Sequence, residues 1–87
     1  MQIVKATVEN TADIAPLLDL YRQYYDCPPD LSLATRFAKE RLQNNESDIF
    51  LAMDGNTACG FVQLYASFCT VDAVKIYIVH DLSLIHI

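Results

Sequence analysis

At 87 residues the chain has room for one domain, near the size where a single core is only modestly stabilising. A net charge of −5, with six scattered basic residues, argues against nucleic acid as the main partner, because phosphate backbones need clustered Lys and Arg. The 53% apolar content and mean hydropathy of +0.19 imply apolar surface that expects something more to pack against. Three cysteines, Cys27, Cys59 and Cys69, are an odd count without C-x-x-C spacing. They read as free thiols in a reducing compartment rather than a disulfide scaffold, and no metal site is expected. No apolar run approaches the roughly 20 residues that span a bilayer, and the first residues lack the layout of a signal peptide. The expected location is the cytoplasm, with no membrane partner.

In chain order, residues 3–8 form a short β-prone segment. Asn10, Thr11 and Asp13 are candidate helix N-caps. Asp13 suits best because Pro16 then falls in the first turn, where its missing N–H would be unpaired anyway. Ile14, Leu17, Leu18, Tyr21 and Tyr24 or Tyr25 lie on one face of an amphipathic helix that Cys27-Pro28-Pro29 stops. A second helix starts at Asp30 or Ser32 and reaches Gln43, with Leu33, Phe37, Ala38 and Leu42 as its buried stripe.

The remainder reads as sheet. Ile49 to Met53 and Gly60 to Tyr65 flank Asp54-Gly55-Asn56, a strong hairpin signal because glycine reaches positive φ without steric cost. A third run from Ala73, rich in β-branched and aromatic residues, completes an antiparallel meander. The first strand should pair beside residues 49–53, and both helices should lie against the sheet. The expected class is α+β, an antiparallel sheet with two N-terminal helices in the order β-α-α-β-β-β.

This order and several short motifs resemble the front half of the GNAT superfamily of acetyl-CoA-dependent N-acetyltransferases. The resemblance rests on the opening strand and its helix ending Leu20-Tyr21-Arg22-Gln23-Tyr24-Tyr25, and on a second helix closing with Glu40-Arg41-Leu42. It rests further on the strand Ile49-Phe50-Leu51-Ala52, the return strand with Gly60 near its start, and His80-Asp81-Leu82 near the end of the fourth. It implies acetyl transfer from acetyl-CoA to a primary amine, on a small molecule or a peptide, within a chain equivalent to the N-terminal part of one such domain (residues 1–87). The family's [Q/R]-x-x-G-x-[G/A] motif, which holds the CoA pyrophosphate on backbone N–H groups, does not occur. The expectation is therefore a truncated or read-through chain without a pyrophosphate site, inactive by itself.

Through the same resemblance, Asp81 is expected to face the acceptor amine, orienting the ammonium group and helping to remove its proton. The alternative is a polar strand end that caps a loop. Leu82, Ser83 and Leu84 are expected to offer backbone groups to the pantetheine arm, or else to be an ordinary sheet edge. Tyr25 and Asp26, at the end of the first helix, are expected in the acceptor pocket, while Tyr21 and Tyr24 read as core. His80 and Asp81, as strand neighbours, should point to opposite faces. No G-x-S-x-G elbow or glycine-rich phosphate loop supports another chemistry. The rival reading from a different class is a non-catalytic α+β interaction or regulatory module. The exposed last strand is expected to drive self-association.

Overall fold

A computed structural model of the protein describes residues 1–84. Strand β1 (Gln2–Lys5) leads through a short 3₁₀ turn into helix α1 (Thr11–Tyr24), helix α2 (Leu31–Gln43) and strands β2 (Asp48–Asp54), β3 (Thr57–Cys69) and β4 (Val74–Leu84). The sheet is antiparallel throughout in the order β1-β2-β3-β4, the expected meander with β1 beside β2. Gly55 takes φ +63° in the tight turn between β2 and β3, the backbone state the Asp-Gly pair signals.

The start of α1 differs from the expectation. Its N-cap is Asn10, whose side-chain oxygen accepts from the Thr7 N–H at 2.9 Å and so closes the 3₁₀ turn of Val8–Asn10. Pro16 therefore lies inside the helix rather than in its first turn. The helix tolerates it because Ala12 and Pro16 are both exposed, so the carbonyl that loses its partner turns to water. The start of α2 follows the cap signal: the Asp30 carboxylate accepts from the Leu33 N–H at 3.0 Å, and Asp19 accepts from the Asp30 N–H at 2.8 Å.

Both helices end alike. The N–H of Asp26 (φ +65°) bonds the Gln23 carbonyl, and the N–H of Cys27 reaches the Arg22 carbonyl, each at 3.0 Å. Asn45 (φ +51°) and Glu46 repeat the pattern on Leu42 and Arg41 at 3.3 and 2.9 Å. This left-handed exit satisfies the last carbonyls of each helix.

The core lies between the helices and one face of the sheet. Ile14, Leu17 and Leu18 of α1 meet Ile49 and Leu51 of β2 and Phe61 of β3, with Ala34 and Ala38 closing it from α2. The stripe expected on α2 holds at Ala38, which is fully buried, and at Leu42, which packs against the core, but Phe37 is exposed and Ala34 is buried in addition. Both helices lie over this face of the sheet as expected; α1 rests directly on it, while α2 packs chiefly on α1 and adds Ala34 and Ala38 to the shared core. Alanine on the inner face lets α2 approach α1 closely, which leaves a gap between its larger residues and the sheet.

Two register shifts interrupt the sheet. Cys59 is the extra residue between the pairs Ala52–Gly60 and Met53–Ala58, and its buried thiol donates to the Ala52 carbonyl at 3.3 Å. His80 is the extra residue between the pairs Gln63–Asp81 and Leu64–Val79. A bulge removes one step of side-chain alternation and re-aims the side chains beyond it.

Candidate active site

The gap beneath α2 is a cavity of about 350 Å³, at the lower end of the range for small-molecule sites. Leu33, Ala34 and Phe37 wall it from α2, Tyr21 and Arg22 from α1, and Gln63, Tyr65 and Asp81 from the sheet. The sheet residues arrive through register. Phe61, Gln63 and Tyr65 alternate onto the helix-facing side of β3, and Asp81 is paired directly to Gln63.

Asp81 is held from behind. Gln63 Nε2 donates to Asp81 Oδ2 at 2.8 Å, and Gln63 Oε1 accepts from Ser47 Oγ at 2.9 Å. Both supporting residues are buried, Gln63 with 2% of its surface exposed. A carboxylate only accepts, so the Gln63 amide must present its nitrogen to Asp81 and its oxygen to the Ser47 hydroxyl. The chain fixes the carboxylate's orientation while Asp81 stays partly open to the cavity.

The tyrosines record the negative charge. The Tyr21 hydroxyl is pushed up to about 12, first by its neighbour Tyr25, then by burial, then by the Asp81 carboxylate. Tyr65 is raised as well, by burial and then by Asp81. The Tyr21 ring packs edge-on against Phe61 at 5.4 Å and Tyr25 at 5.2 Å, so it is both a core residue and a wall of the cavity.

His80 does not obey simple strand alternation. As the bulged residue it lies edge-on to the Tyr65 ring, centroids 5.0 Å apart, and Tyr65 shares the cavity with Asp81. Strict alternation, which would put His80 and Asp81 on opposite faces, therefore fails at this bulge.

A second hollow, of about 560 Å³, runs between the end of α1 and the end of β4. It is lined by Tyr24, Tyr25 and Tyr21 on one side and by Leu82, Ser83 and Leu84 on the other. Tyr21 belongs to both hollows, so they adjoin across one side chain. Close approach of the strands here depends on Gly60. A Cβ on it would stand 2.6 Å from Leu84 Cδ2 and 2.9 Å from the Ser83 carbonyl oxygen.

Of the residues singled out in the sequence, Asp81 lines the first hollow, while Tyr25, Leu82, Ser83 and Leu84 line the second. Asp26 lines neither and is exposed in the left-handed cap of α1. Sequence reasoning missed Arg22, Gln63, Tyr65 and Ser47. Gln63 carried a usable signal: a polar residue at the core-facing position between Phe61 and Tyr65 needs a partner.

No protein-family model matches the chain. It is 43% identical over 82 residues to the uncharacterised N-acetyltransferase YhfO of Bacillus subtilis, covering 94% of this chain and 55% of that protein. It is 31% identical over 83 residues to a probable acetyltransferase of Haemophilus influenzae, covering 94% and 57% respectively. A crystal structure of a probable acetyltransferase superposes with a TM-score of 0.90 at 34% identity, over 97% of this chain and 57% of the other. The chain thus spans a little over half the length of the relatives it matches. In sequence over nearly all its length, and in fold, it resembles the GNAT-type N-acetyltransferases.

Proposed function

We propose that the chain is the N-terminal part of a single N-acetyltransferase domain that moves acetyl from acetyl-CoA to a primary amine. The observation that carries this reading is the meeting of two hollows at Tyr21, one holding an oriented carboxylate and the other following the end of β4. Direct transfer needs an acceptor pocket and a donor groove that adjoin. The resemblance to acetyltransferases supports the same chemistry.

Acetyl-CoA, when bound, supplies an acetyl thioester. Among the described residues β4 is an edge strand, so the outer backbone groups at Leu82, Ser83 and Leu84 fit the amides of a pantetheine arm. Asp81 holds the acceptor ammonium and takes one proton from it, directly or through a water, while Tyr25 closes the mouth beside Tyr21. The neutral amine then forms its C–N bond as the C–S bond breaks, its second proton passes to the departing thiolate to give the thiol, and the proton held by Asp81 is released to solvent. The described residues fit the arm but not the pyrophosphate. Gly55 sits in a hairpin turn and Gly60 under Leu84, and neither precedes a helix N-terminus.

Calorimetry with acetyl-CoA tests the reading, on the 87-residue chain and on the same chain completed with the second half of a relative. Binding is expected only in the completed protein, together with acetylation of amines. Losing several charge-assisted hydrogen bonds, at roughly 1.5–3 kcal/mol each, should weaken the short chain by orders of magnitude. Micromolar binding by the short chain would point instead to a self-sufficient module, and a completed protein without transfer would remove the acetyltransferase reading.

A further inference from the structure

Arg22 lines the Asp81 cavity from the last turn of α1, and its Nη1 is shielded from solvent with no hydrogen-bond partner among the described residues. An arginine in a last turn complements the helix dipole, but it does so equally well when its head is solvated. Withdrawing a guanidinium nitrogen from water and leaving it unpaired costs about 1–3 kcal/mol or more. Nearby carboxylates do not relieve it. Asp19 is engaged by the Gln23 side chain at 3.2 Å and the Asp30 N–H at 2.8 Å, and Asp81 Oδ2 by Gln63 at 2.8 Å. Arg22, which forms no ion pair among the described residues, thus lines one cavity with the oriented Asp81 carboxylate and the aromatic rings of Tyr21, Phe37 and Tyr65.

We infer that the acceptor is an amine that also carries a carboxylate, an amino acid with an apolar or aromatic side chain. Its ammonium meets Asp81, its carboxylate meets Arg22 and its side chain rests on the aromatic walls. This deepens the acetyltransferase proposal and rests on it for the identity of the pocket. Guanidinium suits the task because its planar donors match a carboxylate in bidentate fashion. Neither charge alone would select such a ligand; together they demand one that bears both signs within about 350 Å³.

The test needs no cofactor. L-phenylalanine, phenethylamine and 3-phenylpropanoate are titrated against the 87-residue chain, followed by calorimetry and by the amide resonances of Gln63 and Asp81. The amino acid is expected to bind at least tenfold more tightly than either single-charge analogue. Arg22→Met, which preserves the apolar stem, should erase its advantage over phenethylamine, and phenethylamine affinity should not fall, because a like charge has been removed from the cavity. Equal binding of the three, no binding of any, or discrimination that survives Arg22→Met would overturn the inference. The two proposals fail separately. A completed protein that acetylates phenethylamine as fast as L-phenylalanine keeps the transfer chemistry and loses the amino-acid pocket. Discrimination by the short chain with no transfer by the completed one does the reverse.

Discussion

Asp81 combines a buried support with an open face, which is the arrangement a proton-accepting group requires. Its neighbours give a way to separate chemistry from architecture. Asp81→Asn retains an acceptor oxygen for Gln63 Nε2 but removes the charge. In the completed protein turnover should fall by about 10² or more, the usual scale for a general base, with little change in melting temperature. The same variant has an optical signature in the 87-residue chain. Tyr21 is held up to about 12, from an ordinary 10.0, partly by the Asp81 carboxylate, so its alkaline titration should move back toward the ordinary value. The direction follows from linkage: the neutral phenol is favoured in the folded state, so stability is lost as pH rises from the unfolded toward the folded pKa. Removing the charge narrows that window. Unchanged kinetics with a shifted tyrosine would leave Asp81 an electrostatic neighbour without a catalytic role.

At the scale of elements, the strands and their order were legible because each carries a period-two apolar pattern and the Asp54-Gly55 turn fixes one connection. Features without a compositional mark escaped. A bulge is one residue of ordinary chemistry in an unordinary register, so neither Cys59 nor His80 announces itself. Ala73 takes φ +55° in the β3–β4 turn, where glycine or asparagine would have signalled it. The α2 stripe misleads because a periodic Phe37 looks like core, whereas the close contact with α1 is made by small residues and leaves the ring at the cavity. The candidate site was legible in its strand, through Asp81 and its successors, and not in Arg22, whose cavity exists only once α2 stands off the sheet. Gly60 links these levels. Gly60→Ala would push a methyl into the Ser83 backbone oxygen, a contact that side-chain rotation cannot relieve. It should cost about 1–3 kcal/mol in urea unfolding. Hydrogen exchange should quicken first at Phe61 and Ser83, the neighbouring pair. A variant of native stability would show that the strand end yields more easily than its geometry implies.

For the molecule as a whole, the helices cover one face of a sheet whose last strand is exposed along its length. Val74, Tyr77, Ile78 and Val79 each expose more than two fifths of their surface, and among the described residues β4 has no neighbour on its outer side. The segment from Val74 to Val79 has high β-propensity, one charge in Lys75 and no proline, which marks it for pairing between chains. We propose a second copy of the chain as its occupant in dilute solution. Light scattering should show concentration-dependent association that Tyr77→Lys reduces, and a monomer persisting at high concentration would refute it. No helix among the described residues is long and apolar enough to cross a membrane.

The support behind Asp81 has a direction. Gln63 can pass Asp81 an amide hydrogen bond but cannot carry a proton away from it, because the amide nitrogen that faces Asp81 only donates, while its oxygen is turned to the Ser47 hydroxyl. Inward of the carboxylate there is thus a dead end, not a wire. On the proposed reading, a proton collected by Asp81 must leave through the cavity by which the amine enters, so the acid would be exchanged with water at the mouth and never cross the interior.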